Sequence, residues 1–301
     1  MSPNKRLSVL LADDGSQHAR SAVELLLELP LPPKSRITVL RVFNSGQVSF
    51  LPQFEAMLEE TKSRLEERGF KVETDLQLGS PSEKIVEMAE NKKVDLIVLG
   101  AKGLRATAGI LLGGVAQQVV EYARCAVLVV RAPYTGMRRI LFVTDGSAYS
   151  QSAARYLKKL PLPAEVEFHV MHVLPPAIQP LMMEPHMGGW QTVYAAMPGA
   201  EELALIHERQ KKKGEAVLKR TSNLLQKLGV FPTPVLVRGD AATEIIDYVR
   251  LNHFDLIVAG SRGLSQIKGF LMGSVSRKLV HYSTCSVLIV KGLQKGARPW
   301  K

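Results

Sequence analysis

The chain is written twice, and any fold it adopts must be built twice. Ile140-Leu141-Phe142-Val143-Thr144-Asp145-Gly146-Ser147 repeats the layout of Leu7 to Ser16, an apolar run closed by Asp-Gly-Ser, and both copies reach Leu-Pro-Leu-Pro (Leu29 to Pro32, Leu160 to Pro163). The offset here is 131 residues, from Asp14 to Asp145. Further along, Gly79 matches Gly239, Asp95-Leu96-Ile97-Val98 matches Asp255-Leu256-Ile257-Val258, and Gly100 matches Gly260, at an offset of 160. A repeat of this length marks two homologous domains rather than a solenoid of short units. The offsets differ by 29, so the second copy carries an insertion of that many residues. We place the domains at 1–133 and 138–293. The linker from Arg131 to Arg138 is too short to make them independent beads.

Within the first copy, apolar patterning predicts strands near 7–12, 36–43, 71–78, 94–99 and 126–130. Helical periodicity covers 16–29, 53–68, 81–91 and 114–123, with Ser16 as an N-cap. Strict alternation of strand and helix implies a mostly parallel sheet covered on both faces. The fold class is α/β: two tandem doubly wound, Rossmann-like domains, each with a five-stranded sheet. The insertion falls between the second strand and second helix of the second copy, near 175–201. It holds Met182, Met183, Met187, Trp190, Tyr194 and Met197 among prolines and glycines. That much apolar surface predicts a cover: a packed flap, a lid over a crevice, or a contact with the other half or another chain.

Composition removes some classes. At 301 residues, 46% hydrophobic and 22% charged, the chain can bury two cores, and no run approaches the roughly 18 apolar residues of a membrane span. The N-terminal apolar segment is too short for a signal sequence, so the expected location is cytoplasmic. Cys125 and Cys285 offer no disulfide framework and no metal-ligand spacing. A net charge of +11 suits nucleic acid, an anionic membrane or phosphorylated ligands. The main basic run, Arg209 to Lys213, lies on a helical pattern and reads as a solvated face, so neither nucleic acid nor membrane is expected as a partner. His169 and His172 are three apart on a strand and point to opposite faces, as structural histidines would.

The chemistry concentrates after the fourth strand of each copy. Phe254 to Ala259 feeds into Gly260-Ser261-Arg262-Gly263, and Gly273-Ser274 opens the next helix. Glycines three apart permit a tight turn that exposes successive N–H groups, and a helix start favours an anion. Alone, the same pattern also describes two ordinary turns. If the first strand is central and the fourth lies beside it, the Asp-Gly-Ser turn and the glycine loop meet at one crevice, where open parallel sheets bind ligands. Asp145 then accepts a hydrogen bond from a ribose or base. The loop and the helix start at Ser274-Val275-Ser276 hold phosphates, with the hydroxyls of Ser274 and Ser276 as further donors and Arg262 or Lys268 as charge. Neither Gly-x4-Gly-Lys-Ser/Thr nor Gly-x-Gly-x-x-Gly follows the first strand of either copy, which disfavours a Walker ATPase and a dinucleotide dehydrogenase.

At these residues the chain resembles the universal stress protein family in its tandem form. The resemblance rests on strand-Asp-Gly-Ser, strand-Asp-Leu-Ile-Val-x-Gly, Gly-x2-Gly-x9-Gly-Ser/Thr and a closing Cys-x-Val-Leu-x-Val strand, and covers nearly all of both halves. It implies an adenine nucleotide alpha hydrolase-like fold and an ATP site, with or without magnesium. Carried over by position, that site comprises Asp145, Val173, Gly260, Gly263, Gly273 and Ser274, with Ser261, Arg262, Val275 and Ser276 as loop and helix-start neighbours. In the first half Gly114 stands where the family has Ser or Thr, so Asp14, Val42, Gly100, Gly103, Gly113 and Gly114 form a weaker second site. The resemblance also implies that the last strands, 126–130 and 286–290, pair within the chain as a pseudo-dimer; a homodimer is a further option. No general base can be named, so the leading reading is a nucleotide-regulated stress-response protein. Its alternatives are a slow ATPase or nucleotidyl-transferring enzyme, and an interaction module to which nucleotide is incidental.

Overall fold

The computed structural model describes residues 6–32, 35–104, 111–163, 165–176, 200–263 and 272–292. The first half runs β1 (Ser8–Ala12), α1 (Gln17–Glu28), β2 (Arg36–Phe43), a 3-10 turn (Ser45–Phe50), α2 (Leu51–Glu66), β3 (Lys71–Leu78), α3 (Pro81–Asn91), β4 (Leu96–Gly100), α4 (Gly114–Tyr122) and β5 (Ala126–Val130). The second runs β6 (Arg139–Val143), α5 (Ala148–Tyr156), β7 (Glu167–Leu174), α6 (Ala200–Gln226), β8 (Thr233–Arg238), α7 (Ala241–Leu251), β9 (Leu256–Gly260), α8 (Ser274–Tyr282) and β10 (Ser286–Val290).

All ten strands join one sheet, ordered β3-β2-β1-β4-β5-β10-β9-β6-β7-β8. Each half contributes five parallel strands, and the halves meet where β5 and β10 pair antiparallel with Leu128 opposite Leu288. These two leucines are counterparts at the offset of 160, so a pseudo-two-fold axis passes between them. Inside each half the first strand is central and the fourth lies beside it: β1 pairs with β4 through Val9 and Leu96, and β6 with β9 through Ile140 and Leu256. The assumed strand order is therefore the observed one.

The strands are apolar throughout because both sheet faces are covered. Val9, Leu11, Val39, Val98, Leu128 and Leu288 pack on one side with α1 and α2, while Leu10, Leu40, Ile97, Val127, Ile257 and Ile289 pack on the other with α3, α4 and α8. The period-two alternation thus divides residues between two cores rather than between core and solvent.

Two details position the site. The Asp-Gly-Ser turns need backbone that only glycine adopts readily, with φ of +77° at Gly15 and +78° at Gly146. Ser16 and Ser147 then cap α1 and α5, accepting from the N–H of Ala19 (3.1 Å) and Ser150 (3.2 Å). The expected insertion near 175–201 falls largely at 177–199, outside the described residues. Its last residues belong to α6, which starts at Ala200, well before Lys211, the counterpart of Leu51 at the start of α2. Part of the extra length is therefore a longer helix.

Candidate functional site

A cavity opens at the carboxyl ends of the strands in each half. That in the first half measures about 310 Å³ and is lined by Asp14, Val42, Gly100, Gly103, Gly113 and Gly114, all six positions expected from the sequence. That in the second is smaller, about 130 Å³, and is lined by Asp145, Val173, Gly260, Arg262, Gly263, Gly273, Ser274, Val275 and Ser276. Ser261 departs from the expectation. It is 2% exposed, its carbonyl accepts the Gly273 N–H at 2.8 Å, and it lines a neighbouring space instead.

Steric contacts explain the glycines. A Cβ on Gly260 would stand 2.8 Å from the carbonyl carbon of Tyr149 and 3.0 Å from the nitrogen of Ser150; on Gly100 it would stand 2.9 Å from the nitrogen of Ala19. The loop thus leaves its strand against the first turn of α5 or α1, where only glycine fits. The second glycine fits under the aspartate: a Cβ on Gly263 would be 2.7 Å from Asp145 Oδ2, and on Gly103 2.6 Å from Asp14 Oδ2. Gly114 has open space around its missing side chain, so sterics do not require glycine there.

Both aspartates accept backbone hydrogen bonds. Asp145 Oδ1 accepts the Ser147 N–H at 3.0 Å and Asp14 Oδ1 the Ser16 N–H at 3.0 Å, while Asp14 Oδ2 accepts the Leu104 N–H at 3.2 Å. Asp14 therefore ties its turn to the glycine loop, and Asp145 braces its own turn.

Beyond the loop, α4 and α8 start at the cavity. Their N-caps, Gly113 and Gly273, provide no side-chain cap, so the N–H groups of the first turn keep their donor capacity and the positive dipole end faces the cavity. Ser274 stands in that first turn. The Ser276 hydroxyl, expected as a ligand donor, is buried and donates to the Gly260 carbonyl at 2.7 Å. It holds the strand end onto the helix, a use its spacing did not reveal. Arg262 lies over the Tyr149 ring, 5.8 Å from the centroid.

Several lining residues were not singled out from the sequence. Pro81 and Ile85 in the first half and their counterparts Ala241 and Ile245 form an apolar wall, opposite the polar turn. Thr144, Ser150 and His172 add polar groups in the second half; in the first, Asp13 takes the Thr144 position. His172 Nδ1 lies 2.7 Å from the Thr144 carbonyl, whereas His169 is taken up by the Tyr248 hydroxyl (2.9 Å) and Glu167 (2.8 Å).

The two turns are supported differently. In the first half Asp13 accepts from the Gly15 N–H and the Thr61 hydroxyl, each at 2.8 Å, and Arg41 donates to the Asp14 carbonyl. Burial lowers the Arg41 pKa, and the Asp13 and Asp14 carboxylates oppose that shift. In the second half the counterparts are Thr144, at 3.2 Å from both the Gly146 N–H and the Thr221 hydroxyl, and His172. A buried carboxylate and a buried guanidinium have been exchanged for a hydroxyl and an imidazole around the same turn.

Among the described residues no group of three His, Cys, Asp or Glu is placed to hold a metal ion, and no helix is long and apolar enough to cross a membrane.

Comparison with known proteins gives a consistent answer. The model of the universal stress protein family matches residues 6–131 and again 136–291. A universal stress protein of Methanocaldococcus jannaschii is 47% identical over 158 residues, covering 52% of this chain and 84% of its own. One from Bacillus subtilis is 31% identical over 153 residues, covering 51% of this chain and 98% of its own. The crystal structure of a universal stress protein from Archaeoglobus fulgidus matches with a TM-score of 0.65, covering 97% of this chain and 99% of that one; at 21% identity it speaks to the fold.

Proposed function

The chain belongs to the universal stress protein family, and we propose that it is an adenine nucleotide-binding regulatory member whose ligand is ATP, with or without magnesium. The observation that carries this reading is the combination, in each cavity, of an apolar wall, a glycine loop and an uncapped helix N-terminus. An apolar wall of Pro81 and Ile85, or Ala241 and Ile245, suits a base, while the first-turn N–H groups of α4 and α8 suit phosphates.

The second half is the tighter site in this reading, with Asp145, Val173, Gly260, Gly263, Gly273 and Ser274 as its contacts. Ser274 adds a hydroxyl that Gly114 lacks. The first cavity is the roomier of the two, so Asp14, Val42, Gly100, Gly103, Gly113 and Gly114 accept the same ligand with fewer donors. The antiparallel pairing of β5 with β10 supports action as an intramolecular pseudo-dimer. The hydrogen bonds of Asp14 and Asp145 to their own turns support a role in ordering loops rather than in activating a water.

Titration of the full chain with ATP tests the reading. Saturable binding whose tighter component is lost in Gly273→Val supports it. No binding, together with no nucleotide released on heat denaturation, removes it.

A further inference from the structure

The charge of the chain is divided unevenly. Residues 138–301 hold 22 Lys and Arg against 12 Asp and Glu, so +10 of the net +11 belongs to the second half. Part of that excess has a definite place. The helices α1, α2, α5 and α6 cover one face of the sheet, where their buried residues share one core. On the outward side of that face, Glu24 of α1 has Arg155 of α5 as its counterpart at the offset of 131. On α2 and at its C-cap, Glu59, Glu60 and Glu67 have Lys219, Arg220 and Lys227 as theirs at the offset of 160. All eight of these residues are exposed. The opposite face follows no such rule: Glu87 matches Asp247 with the sign kept, and Lys84 matches Glu244 with the sign reversed in the other sense.

Most of these charges are uncommitted. Among the described residues Glu24, Glu60, Glu67, Lys219, Arg220 and Lys227 make no ion pair. Arg155 reaches only Gln151 Oε1, at 3.5 Å, and Glu59 pairs with Lys62 of its own helix at 3.0 Å. An exposed pair of that kind is worth little and opens readily.

The pseudo-two-fold axis between β5 and β10 is normal to the sheet, as for any antiparallel pair of strands, so it keeps α2 and α6 on one face and runs them in opposite directions. Turning a second copy over about an axis parallel to the strands lays this face on itself, each acidic half over a basic half. The α2 helix of one copy then lies antiparallel along α6 of the other. Glu60 and Glu67 are seven residues apart, about two helical turns, and so are Arg220 and Lys227. Antiparallel helices therefore match Glu67 with Arg220 and Glu60 with Lys227 in a single register.

We propose that this face is a self-complementary docking surface for a second copy of this chain, closing an isologous dimer in which the acidic α1 and α2 half of each copy lies on the basic α5 and α6 half of the other. Two-fold closure uses both contacts and leaves no free end. A nucleic acid or an anionic bilayer fits the face less well. Either would meet cations on one half and four glutamates on the other, where like charge repels it.

Sedimentation velocity of the full chain tests this. The expected result is a two-chain particle at about 50 mM salt that dissociates as salt is raised to about 0.5 M, because the pairs at its rim are screened. Glu60→Lys with Glu67→Lys, and separately Arg220→Glu with Lys227→Glu, are each expected to weaken self-association about a hundredfold by setting like charges opposite one another. An equimolar mixture of the two variants is expected to restore the two-chain particle, since each then presents opposite charge to the other in both contacts. These positions are exposed, and circular dichroism checks that the fold is kept; Glu24→Lys and Arg155→Glu form an independent pair if either double variant does not fold. A native chain that is monomeric at low salt overturns the proposal, as does a dimer indifferent to salt and to both variants, or a mixture that stays monomeric. A monomeric native chain that binds duplex DNA or phosphatidylserine vesicles, and loses them in Arg220→Glu with Lys227→Glu, also overturns it and gives the basic half to that partner.

Discussion

Replacing Ser274 by Asp separates the helix from the ligand. Ser274 is the first residue of α8, directly after an N-cap, Gly273, that supplies no side-chain acceptor. A carboxylate there complements the helix dipole and accepts first-turn N–H groups, which stabilises the fold by about 0.3–1 kcal/mol. The same carboxylate occupies the position assigned to a phosphate. Two unit charges about 4 Å apart at an effective dielectric of roughly 20 repel by about 4 kcal/mol, or on the order of a thousandfold in affinity. The expected outcome is a higher unfolding midpoint with ATP binding at the second site lost, read by thermal denaturation and calorimetry on the same preparation. Unchanged ATP affinity in Ser274→Asp would refute the assignment of phosphates to this helix start. A joint loss of stability and affinity would refute the claim that the first turn is uncapped and ready for an anion.

Gly114→Ser, placed in open space at the equivalent start of α4, is expected to strengthen the first site by about 0.5–1.5 kcal/mol through one added hydrogen bond, seen as convergence of the two site affinities in a titration. Gly260→Ala drives a Cβ to 2.8 Å from the Tyr149 backbone and is expected to cost about 1–3 kcal/mol in denaturant unfolding, whereas Gly114→Ala leaves stability nearly unchanged. For Lys291, the folded-state pKa is depressed to about 8 from 10.5, so the unfolded chain binds more protons between those values and stability rises with pH across that window. The gain attributable to this group is about 1–3 kcal/mol after solvent screening; it should be absent in Lys291→Met and so appear as the pH dependence of the stability difference between the native chain and that variant.

Much of the architecture was legible because the sheet is covered on both faces. Runs such as Leu96 to Leu99 are apolar at every position and bounded by turns, so strand positions could be read directly, and the repeat checked each one against its counterpart. The start of α6 was harder. Its first turns extend into the inserted stretch, and helical propensity there was masked by the expectation of a long loop. At the site, residue types gave the lining but not the hydrogen-bond direction. Ser276 looked like a ligand donor, yet its hydroxyl is aimed back at the Gly260 carbonyl. Asp145 looked like a free acceptor, yet it is held over Gly263 by the Ser147 N–H. The exchange of Asp13 and Arg41 for Thr144 and His172 was present in the aligned repeats at one offset, but nothing in the motif said that the two positions serve the same turn. That relation depends on where β2 and β7 bring their ends in three dimensions.

The central claim is that each half of this chain holds an adenine nucleotide across its glycine loop. Calorimetric titration of the intact protein with ATP tests it most directly. The account predicts two binding events, the tighter one abolished by Ser274→Asp and the weaker by Gly114→Asp; a flat titration of the native chain, confirmed free of co-purified nucleotide, would contradict it.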